Sequence, residues 1–448
     1  MRNTHLLLNS FFVFLLFCST LFAQEAPANG RVIINGDNFS QFKALIIPEL
    51  HDLISNNLLY LDTSKDLAYQ TKNLPSFVNF SSQNIINTDD LIFEAVSKVF
   101  NKGNTNYSLI FSPDTDKDYG KNLDAKLILW NTYSSAISQK HLRTNFGVHS
   151  FSKNMSAALP VISGTIERIL SNTPSSDKAL PQLFREKISL QEPKVINNYS
   201  WLTFRFITNN PEFVWIYSPA INKTRQMNST NRSDQILSDL PEVDDLFTWS
   251  QDPHQVKARF ISTVRALAPF PTSSAGRLFK SENNCSGIED AGMSAPNVSK
   301  WNFQTKRFPR AASWSPTRAI FVPRNLIKIQ TYSLDPYYTD SVQTLYIDSE
   351  LMVPVYKISY NSLGKRRKIV FGGFGMAHSA DSLRKILYPS FTVSINYEKR
   401  EAYSIDYNNI SICSDTNIQE TLKDFEPQKL AAVNLNDSSS AKKFRHAN

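Results

Sequence analysis

The chain divides into an N-terminal part with helical spacing and a C-terminal part with strand-like alternation. Between residues 38 and 61 apolar side chains recur every three or four positions, which predicts an amphipathic helix with a boundary or kink at Pro48. The stretches 89–100 and 155–170 predict two more helices. The segment 125–131 is apolar enough for a strand or the start of a helix, and periodicity leaves that choice open.

The second half of the chain alternates with a period of two, as strands do. Phe204 and Phe206 share one face of a predicted strand, Trp215 and Tyr217 share one face of the next, and Pro219 ends that strand because it has no N–H to donate. Short spacers separate several of these strands, so neighbours are expected to pair antiparallel as a curved meander or open barrel, preceded and interrupted by helices. Further strands are predicted at 319–322, 326–332, 341–348, 353–360, 368–371, 391–397 and 402–407.

Composition changes along the chain suggest how it is organised. Two long polar stretches, 228–247 and 272–315, are predicted to be loops that cover the sheet or its mouth, since loops of this length usually have a task. The resulting division is a signal peptide at 1–23, a helix-containing N-terminal region of the same domain at 24–190, an antiparallel β-rich half-barrel at 191–415, and a polar, flexible tail at 416–448.

The N-terminus has the order of a secretory signal: Arg2, the apolar run 11–17, and small residues ending at Ala23, after which we expect cleavage. Lipidation of Cys18 would need a small residue before it, and Phe17 stands there instead. No later segment reaches the roughly 20 apolar residues of a membrane-spanning helix. The mature chain is therefore expected to be exported, in the periplasm or at the outer membrane.

The charge limits the expected classes of partner, and the cysteine content suggests one covalent link. The net charge is +8, with the cations dispersed, and nucleic acid is a poor partner for an exported protein. The densest basic run, 365–368, fits a solvated hairpin arm or contact with anionic lipid headgroups, so peripheral membrane contact is left open. Cys285 and Cys413 remain after cleavage and are a candidate disulfide, because two cysteines in an oxidising compartment commonly pair. Without companion histidines they do not make a zinc site.

The sequence contains no complete catalytic or metal-binding motif. Gly372–Gly375 lacks the last glycine of a dinucleotide loop and predicts a bulge or bend in a strand. The closest histidines, His141 and His149, have no acids at ligand spacing, and the adjacent Asp244 and Asp245 would face opposite ways on a strand. We therefore predict a protein that is not an enzyme and carries no metal or cofactor.

Aromatic residues are abundant, with 30 Phe and 17 Tyr. On a curled sheet their alternation gives one lined concave face, which either side chains or a ligand can fill. The residues alone leave that choice open.

Four blocks of the sequence, in order, resemble a known family. The stretch FVWIYSPAINK (213–223) is similar to the strand–turn–strand of LolA- and LolB-type lipoprotein carriers of the periplasm. With VIINGDNFSQFKALIIPELHDLI, DDLFTWSQDPHQVKARFISTVRALAPF and the long run from RNLIKIQTYS to GKRRKIV, the chain resembles the bacterial family with domain of unknown function 1329, often labelled outer-membrane lipoprotein-sorting proteins. It departs from that pattern at Ala220, at Asn222–Lys223 and at Asn361.

The resemblance implies an α+β fold in which a large curved antiparallel sheet forms an incomplete, unclosed β-barrel with helices packed on or in it. It further implies an exported, non-catalytic carrier for a lipid, acyl chain or lipoprotein-like ligand, with a resistance-nodulation-division permease as partner. The alternatives are a secreted hydrolase of esters or glycans and a ligand-free structural or adhesion module. Lys223 and Arg225 are expected beside a polar headgroup, and the predicted lining residues are Phe204, Phe206, Trp215, Tyr217, Leu345, Tyr356 and Ile358.

Overall fold

The protein is mostly β: strands hold more than half of the described residues and helices under a fifth. The structure is a computed structural model. It describes residues 31–65, 122–137, 141–152, 162–170, 182–237, 240–271, 275–281, 285–289, 308–380, 385–396, 399, 401–413 and 421–431. The predicted signal peptide and the predicted helix at 89–100 lie outside these ranges.

The described part contains 17 strands. They are β1 (Val32–Ile34), β2 (Leu61–Thr63), β3 (His141–Ser152), β4 (Ile162–Leu170), β5 (Gln182–Glu192), β6 (Ser200–Phe206), β7 (Phe213–Ser218), β8 (Lys223–Met227), β9 (Val256–Pro271), β10 (Gly276–Lys280), β11 (Cys285–Glu289), β12 (Ala319–Ser333), β13 (Val342–Asp348), β14 (Pro354–Tyr360), β15 (Arg366–His378), β16 (Lys385–Asn396) and β17 (Glu401–Cys413).

Helices are few in the described ranges. They are α1 (Phe39–Phe42), α2 (His51–Ser55) and α3 (Asn122–Ile137), with 3-10 turns at Lys43–Leu45, Pro48–Leu50, Lys194–Ile196, Ser229–Ser233, Val243–Asp245, Pro253–Gln255, Lys423–Phe425 and Pro427–Lys429. The helix predicted at 38–61 is thus divided into short pieces, one of which begins at Pro48. The undecided segment 125–131 lies in α3.

Thirteen strands form one antiparallel series in the order β8-β7-β6-β5-β4-β3-β17-β16-β15-β14-β13-β12-β9. β2 joins β12 through a parallel bridge between Phe321 and Thr63, and β1 pairs with β2. The helix predicted at 155–170 is wrong over its second half, because β4 pairs there with β3 and β5 and tertiary pairing overrides local periodicity.

Five strands close into a ring. β10 pairs with β11, β11 with β17, β17 with β16, β16 with β15, and the end of β15 returns to β10 in parallel. A disulfide between Cys285 and Cys413 joins β11 to β17 within this ring. The predicted α+β fold with an incomplete, unclosed barrel is therefore wrong: the chain is mostly β and contains a closed five-stranded barrel.

The long series has an inner and an outer face, which the cross-strand registers define. Paired residues Arg168–Glu186 on β4–β5 and Lys357–Val370 on β14–β15 lie on the inner face. α3 packs against this face, where the Tyr133 ring stacks on Phe184 at 6.3 Å. The outer face of β13–β15 is covered by parts of β9 and β12, as in the Phe321–Phe371 ring contact at 6.2 Å.

Residues 229–237 and 240–255, here called the inner segment, run across the inner face. The sequence predicted a loop over the sheet or its mouth for most of this stretch, yet Val243, Leu246, Phe247 and Trp249 are all buried. The inner segment consists of 3-10 turns and bends, so its side chains, and not strand residues alone, occupy the space inside the curl.

Candidate functional site

The outer face of β4–β7 carries a compact aromatic cluster. Phe204 lies 4.8 Å from Trp215, ring centre to ring centre, and Phe206 lies 5.1 Å from Phe213. Tyr217 belongs to the same cluster, so the structure brings together four of the predicted lining residues. They meet because alternation places them on one face of β6 and β7 and antiparallel pairing puts the strands side by side.

An irregular segment, residues 421–431 and here called the strap, covers this cluster. Its apolar residues Leu422, Phe425 and Leu430 are buried against Ile169, Leu202 and the aromatic rings. The strap lies within the part of the chain predicted to be a polar tail. The cover over the aromatic face is thus a short piece of chain that follows β17, and not a strand of the sheet.

Two cationic side chains of β5 hold the strap in place, together with the Thr224 hydroxyl of β8, which donates to the Pro427 carbonyl at 3.5 Å. The Arg185 guanidinium donates to the Glu426 carboxylate at 2.6 Å and to the Leu422 carbonyl at 3.3 Å, and lies 4.2 Å over the Phe204 ring. The Lys187 ammonium sits 4.9 Å over the Phe425 ring. These cations are paired with acceptors or rings that the strap and the cluster supply, which suits the edge of an apolar site.

The remaining predicted lining residues lie elsewhere. Tyr356 and Ile358 face outward on β14, where the Tyr356 hydroxyl donates to the Leu267 carbonyl at 2.6 Å under β9. Leu345 pairs with Lys357 across β13–β14 and therefore lies on the inner face. The seven predicted residues thus occupy three separate places. Alternation shows which residues share a face within one hairpin, but it does not show where each hairpin lies in a curled sheet.

The predicted headgroup residues are exposed on β8. Arg225 pairs with Ile216 and so projects from the inner side of the hairpin, whereas Trp215 and Tyr217 project from the outer side. Lys223 begins the strand directly after the turn. The structure therefore separates these cations from the aromatic cluster by the thickness of the sheet.

A buried ionic network, which the sequence did not reveal, fills the inner side. Arg232 of the inner segment bonds Asp244 at 2.8 Å and Glu212 at 3.2 Å, and Arg205 bonds Glu212 and the Tyr133 hydroxyl. Such groups are stable away from water only when paired, because desolvating an ion costs several kcal/mol. The network therefore holds the inner segment and α3 against the sheet.

A second set of ions surrounds Glu242 and Asp245, which flank Asp244 in the inner segment. Asp245 accepts from Lys357 at 2.6 Å and from Lys368 at 2.8 Å, while Glu242 pairs with Lys368 and with Arg367. Burial raises the pKa of Glu242 to about 7 despite these cations. For Asp245 burial acts in the same direction, but Lys357 and Lys368 outweigh it and hold its pKa well below its usual range.

The backbone of the inner segment approaches the sheet closely. Phe247 and Thr248 have φ values of 55° and 70°, a conformation that β-branched residues rarely adopt. A Cβ on Gly372 would stand only 2.1 Å from the Thr248 hydroxyl oxygen. The strand register shifts between Gly373 and Phe374, so the predicted bulge in this glycine-rich stretch is confirmed.

A cavity of about 30 Å³ opens beside the network, lined by Glu212, Arg232, Asp244, Asp252 and Tyr338 among others. This volume holds a few water molecules at most and suits the polar lining. It is far too small and too polar for an acyl chain. The cavity therefore fits hydration of the ionic network.

The histidines and adjacent acids singled out in the sequence have partners of other kinds. Within the described ranges, no group of three or more His, Cys, Asp or Glu side chains is placed to hold a metal ion. His141 bonds Glu167 at 2.8 Å on the neighbouring strand. Asp244 and Asp245 point to different cations, Arg232 and Lys357. No helix in this part of the chain is long and apolar enough to cross a bilayer.

Comparison with known proteins gives structural neighbours only. No family model matches the chain, and no curated protein matches its sequence. Among solved structures, the chain is similar to an outer membrane lipoprotein-sorting protein domain from Vibrio parahaemolyticus, with 9% identity, a TM-score of 0.46 and coverage of 69% of this chain and 100% of that one.

Two further solved structures are of the kinds named from the sequence. A DUF1329 family protein from Desulfovibrio piger is 11% identical with a TM-score of 0.42, covering 66% of this chain and 92% of that one. A LolA superfamily protein from Nitrosomonas europaea is 10% identical with a TM-score of 0.37, covering 67% and 97%. The resemblance is confirmed to this extent, and at these values it transfers no ligand or activity.

Proposed function

We propose that this chain is an exported, non-catalytic carrier that binds a hydrophobic ligand, such as a lipid acyl chain, on the outer aromatic face of β4–β7. The observation that carries the proposal is the strap over Phe204, Phe206, Trp215 and Tyr217. An apolar row that is covered by a segment outside the sheet can exchange that cover for another hydrophobe. Holding an acyl chain needs only apolar area removed from water, at about 25 cal/mol per Å².

The strap is a weak cover for its length. Three of its side chains are buried in the cluster, and each contributes roughly 1.5–3 kcal/mol. Ordering each strap residue costs about 1–2 kcal/mol in backbone entropy, and summed over residues 421–431 this cost is larger than the contribution of the three side chains. A ligand that buries a comparable area without this cost would compete with the strap for the same face.

The experiment measures binding of a fluorescent fatty acid to the mature chain and to the variant Leu422→Ser with Phe425→Ser. Loss of two apolar contacts should open the face and tighten the apparent dissociation constant at least tenfold, since the competent state is no longer masked. The matched control is Lys423→Ser with Gln428→Ser, which changes exposed residues of the same strap. It should bind as the unmodified chain does.

A further variant locates the ligand. Trp215→Asp places a charge among the aromatic rings and should abolish binding in the strap-weakened protein. If strap weakening leaves the affinity unchanged, or if Trp215→Asp binds as before, the ligand does not occupy this face. A chain that binds no fatty acid in any form would fit the ligand-free structural module instead. The permease partner stays a prediction of the sequence resemblance.

A further inference from the structure

The registers place four connections at one and the same end of the strands. Ser200 pairs with Tyr217 next to the turn at 219–222, and Ser189 pairs with Ser200 next to the connection at 193–199. Following the series through β4, β3, β17, β16 and β15, the same end holds the turn at 361–365 and the connection at 334–341. These four connections are here called the rim.

The rim collects exposed apolar side chains. Of the nine large hydrophobic residues that are exposed in the described part, five belong to these four short connections. Val195, Tyr337 and Leu363 are 85–89% exposed, nearly as open as in an extended chain. The five residues are Val195, Ile221, Leu334, Tyr337 and Leu363. Single exposed apolar residues are ordinary, but their concentration at one end of a sheet indicates a contact surface.

Lysines stand beside three of these apolar residues, whereas the connection with Leu334 and Tyr337 holds Asp335 between them. Lys194 adjoins Val195 in the connection between β5 and β6, and Lys365 lies two positions after Leu363 in the turn between β14 and β15. Both lysines are exposed. Ile221 is followed in the same way by Lys223 at the start of β8. Three separate turns thus repeat one arrangement, an apolar tip with a lysine at its base.

We propose that the rim docks on an anionic lipid surface. Apolar tips would enter the headgroup layer, while the lysines behind them would meet lipid phosphates at the depth where those charges lie. A protein partner with one complementary patch would not account for the same apolar-plus-lysine pair on three turns of a curled sheet. A bilayer surface would account for this repeated arrangement, since the turns lie at the same end of the strands and can all contact one surface. This proposal is independent of which ligand the aromatic face binds.

The test is sedimentation of the mature chain with vesicles of phosphatidylglycerol and phosphatidylcholine, compared with vesicles of phosphatidylcholine alone. Binding is expected with the anionic vesicles and should weaken as salt is raised, because counterions screen exposed charges. Each lysine near an anionic surface contributes roughly a fivefold increase in affinity. Lys194→Glu with Lys365→Glu should therefore weaken binding at least tenfold. Its matched control, Arg277→Glu with Lys280→Glu, reverses two exposed charges on β10, away from the rim, and should bind normally.

A second pair of variants tests the apolar side chains of the rim. Val195→Ser with Leu363→Ser should weaken vesicle binding at least tenfold, whereas Ile261→Ser with Phe279→Ser, exposed apolar residues outside the rim, should not. Circular dichroism of each variant confirms that folding is retained. Absence of binding to anionic vesicles, equal binding to neutral vesicles, or equal loss in the control variants would overturn the proposal.

Discussion

Removing the charge of Asp245 tests whether the inner ionic network holds the fold together. The carboxylate of Asp245 bonds Lys357 at 2.6 Å, Lys368 at 2.8 Å and the Ser394 hydroxyl at 3.0 Å, and all four residues are buried. In the variant Asp245→Asn, Lys368 keeps Glu242 and Asp340 as partners. Lys357 keeps the Asp244 carbonyl, at 2.7 Å, and can keep a neutral amide oxygen at position 245, but it loses the carboxylate that neutralises it there.

The expected loss of unfolding free energy is about 3–5 kcal/mol, the usual cost of leaving one member of a buried pair unmatched. Adding Lys357→Met should recover part of that loss, because an apolar chain of similar length replaces the unmatched ammonium. Urea unfolding followed by tryptophan fluorescence measures both variants and Lys357→Met alone, and the change in the double variant minus the two single changes gives the coupling energy of the pair.

The control is Asp37→Asn, which breaks the ion pair with Arg310 on the surface, where both side chains are about two-thirds exposed or more. It should change stability by no more than about 0.5 kcal/mol. The reasoning fails if Asp245→Asn costs less than about 1 kcal/mol. It also fails if Lys357→Met makes the Asp245→Asn protein less stable still.

Three further outcomes follow from particular contacts. The pKa of Glu242 is raised from 4.5 to about 7, so between these pH values the folded chain retains a proton that the unfolded chain releases. The free energy of unfolding should therefore fall by roughly 3 kcal/mol as pH rises from about 4.5 to 7. In urea titrations, Glu242→Gln should flatten this pH dependence. Replacing Cys285 and Cys413 by Ser opens a loop of 128 residues and should lower stability by about 2–5 kcal/mol, with no further loss on adding reductant. Gly372→Ala should cost about 1–3 kcal/mol by thermal unfolding, because its Cβ would stand 2.1 Å from the Thr248 hydroxyl, and a loss that Thr248→Gly in the same chain does not relieve would contradict this.

Local pattern was sufficient to identify much of the sheet. The alternation that grouped Phe204 with Phe206 and Trp215 with Tyr217 is a property of single strands, and the structure places all four in one cluster. Predicted strands at 319–322 and 326–332 form a single strand, β12, that runs through Pro323. β9 was missed as a strand although its first half alternates between buried or half-buried and exposed residues from Val256 to Arg265. That signal was present in the sequence.

The strap had a weaker signal. Leu422, Phe425 and Leu430 are apolar residues within a polar stretch, and three such positions are too few to define a periodicity. Closure of the ring by β10 and β11 gave no signal in local pattern, because it depends on pairing between residues more than a hundred positions apart; the candidate disulfide between Cys285 and Cys413 was a hint of it. The open barrel was predicted from the short spacers between strands and from the resemblance, and neither supplies distant pairing of this kind.

The position of the charged residues also explains why the aromatic face, and not the inside of the sheet, is the better candidate for a hydrophobic ligand. Sequence alternation alone makes Arg205 and Lys357 look like solvent-facing positions, since both alternate with apolar residues. The structure buries both completely, against partners on the inner segment. An acyl chain entering there would have to separate ions that are already out of water, at several kcal/mol for each ion left unpaired. On the outer face of β4–β7 it would displace only the apolar contacts and few hydrogen bonds of the strap, so the physical cost of binding is lowest where Phe204 and Trp215 meet.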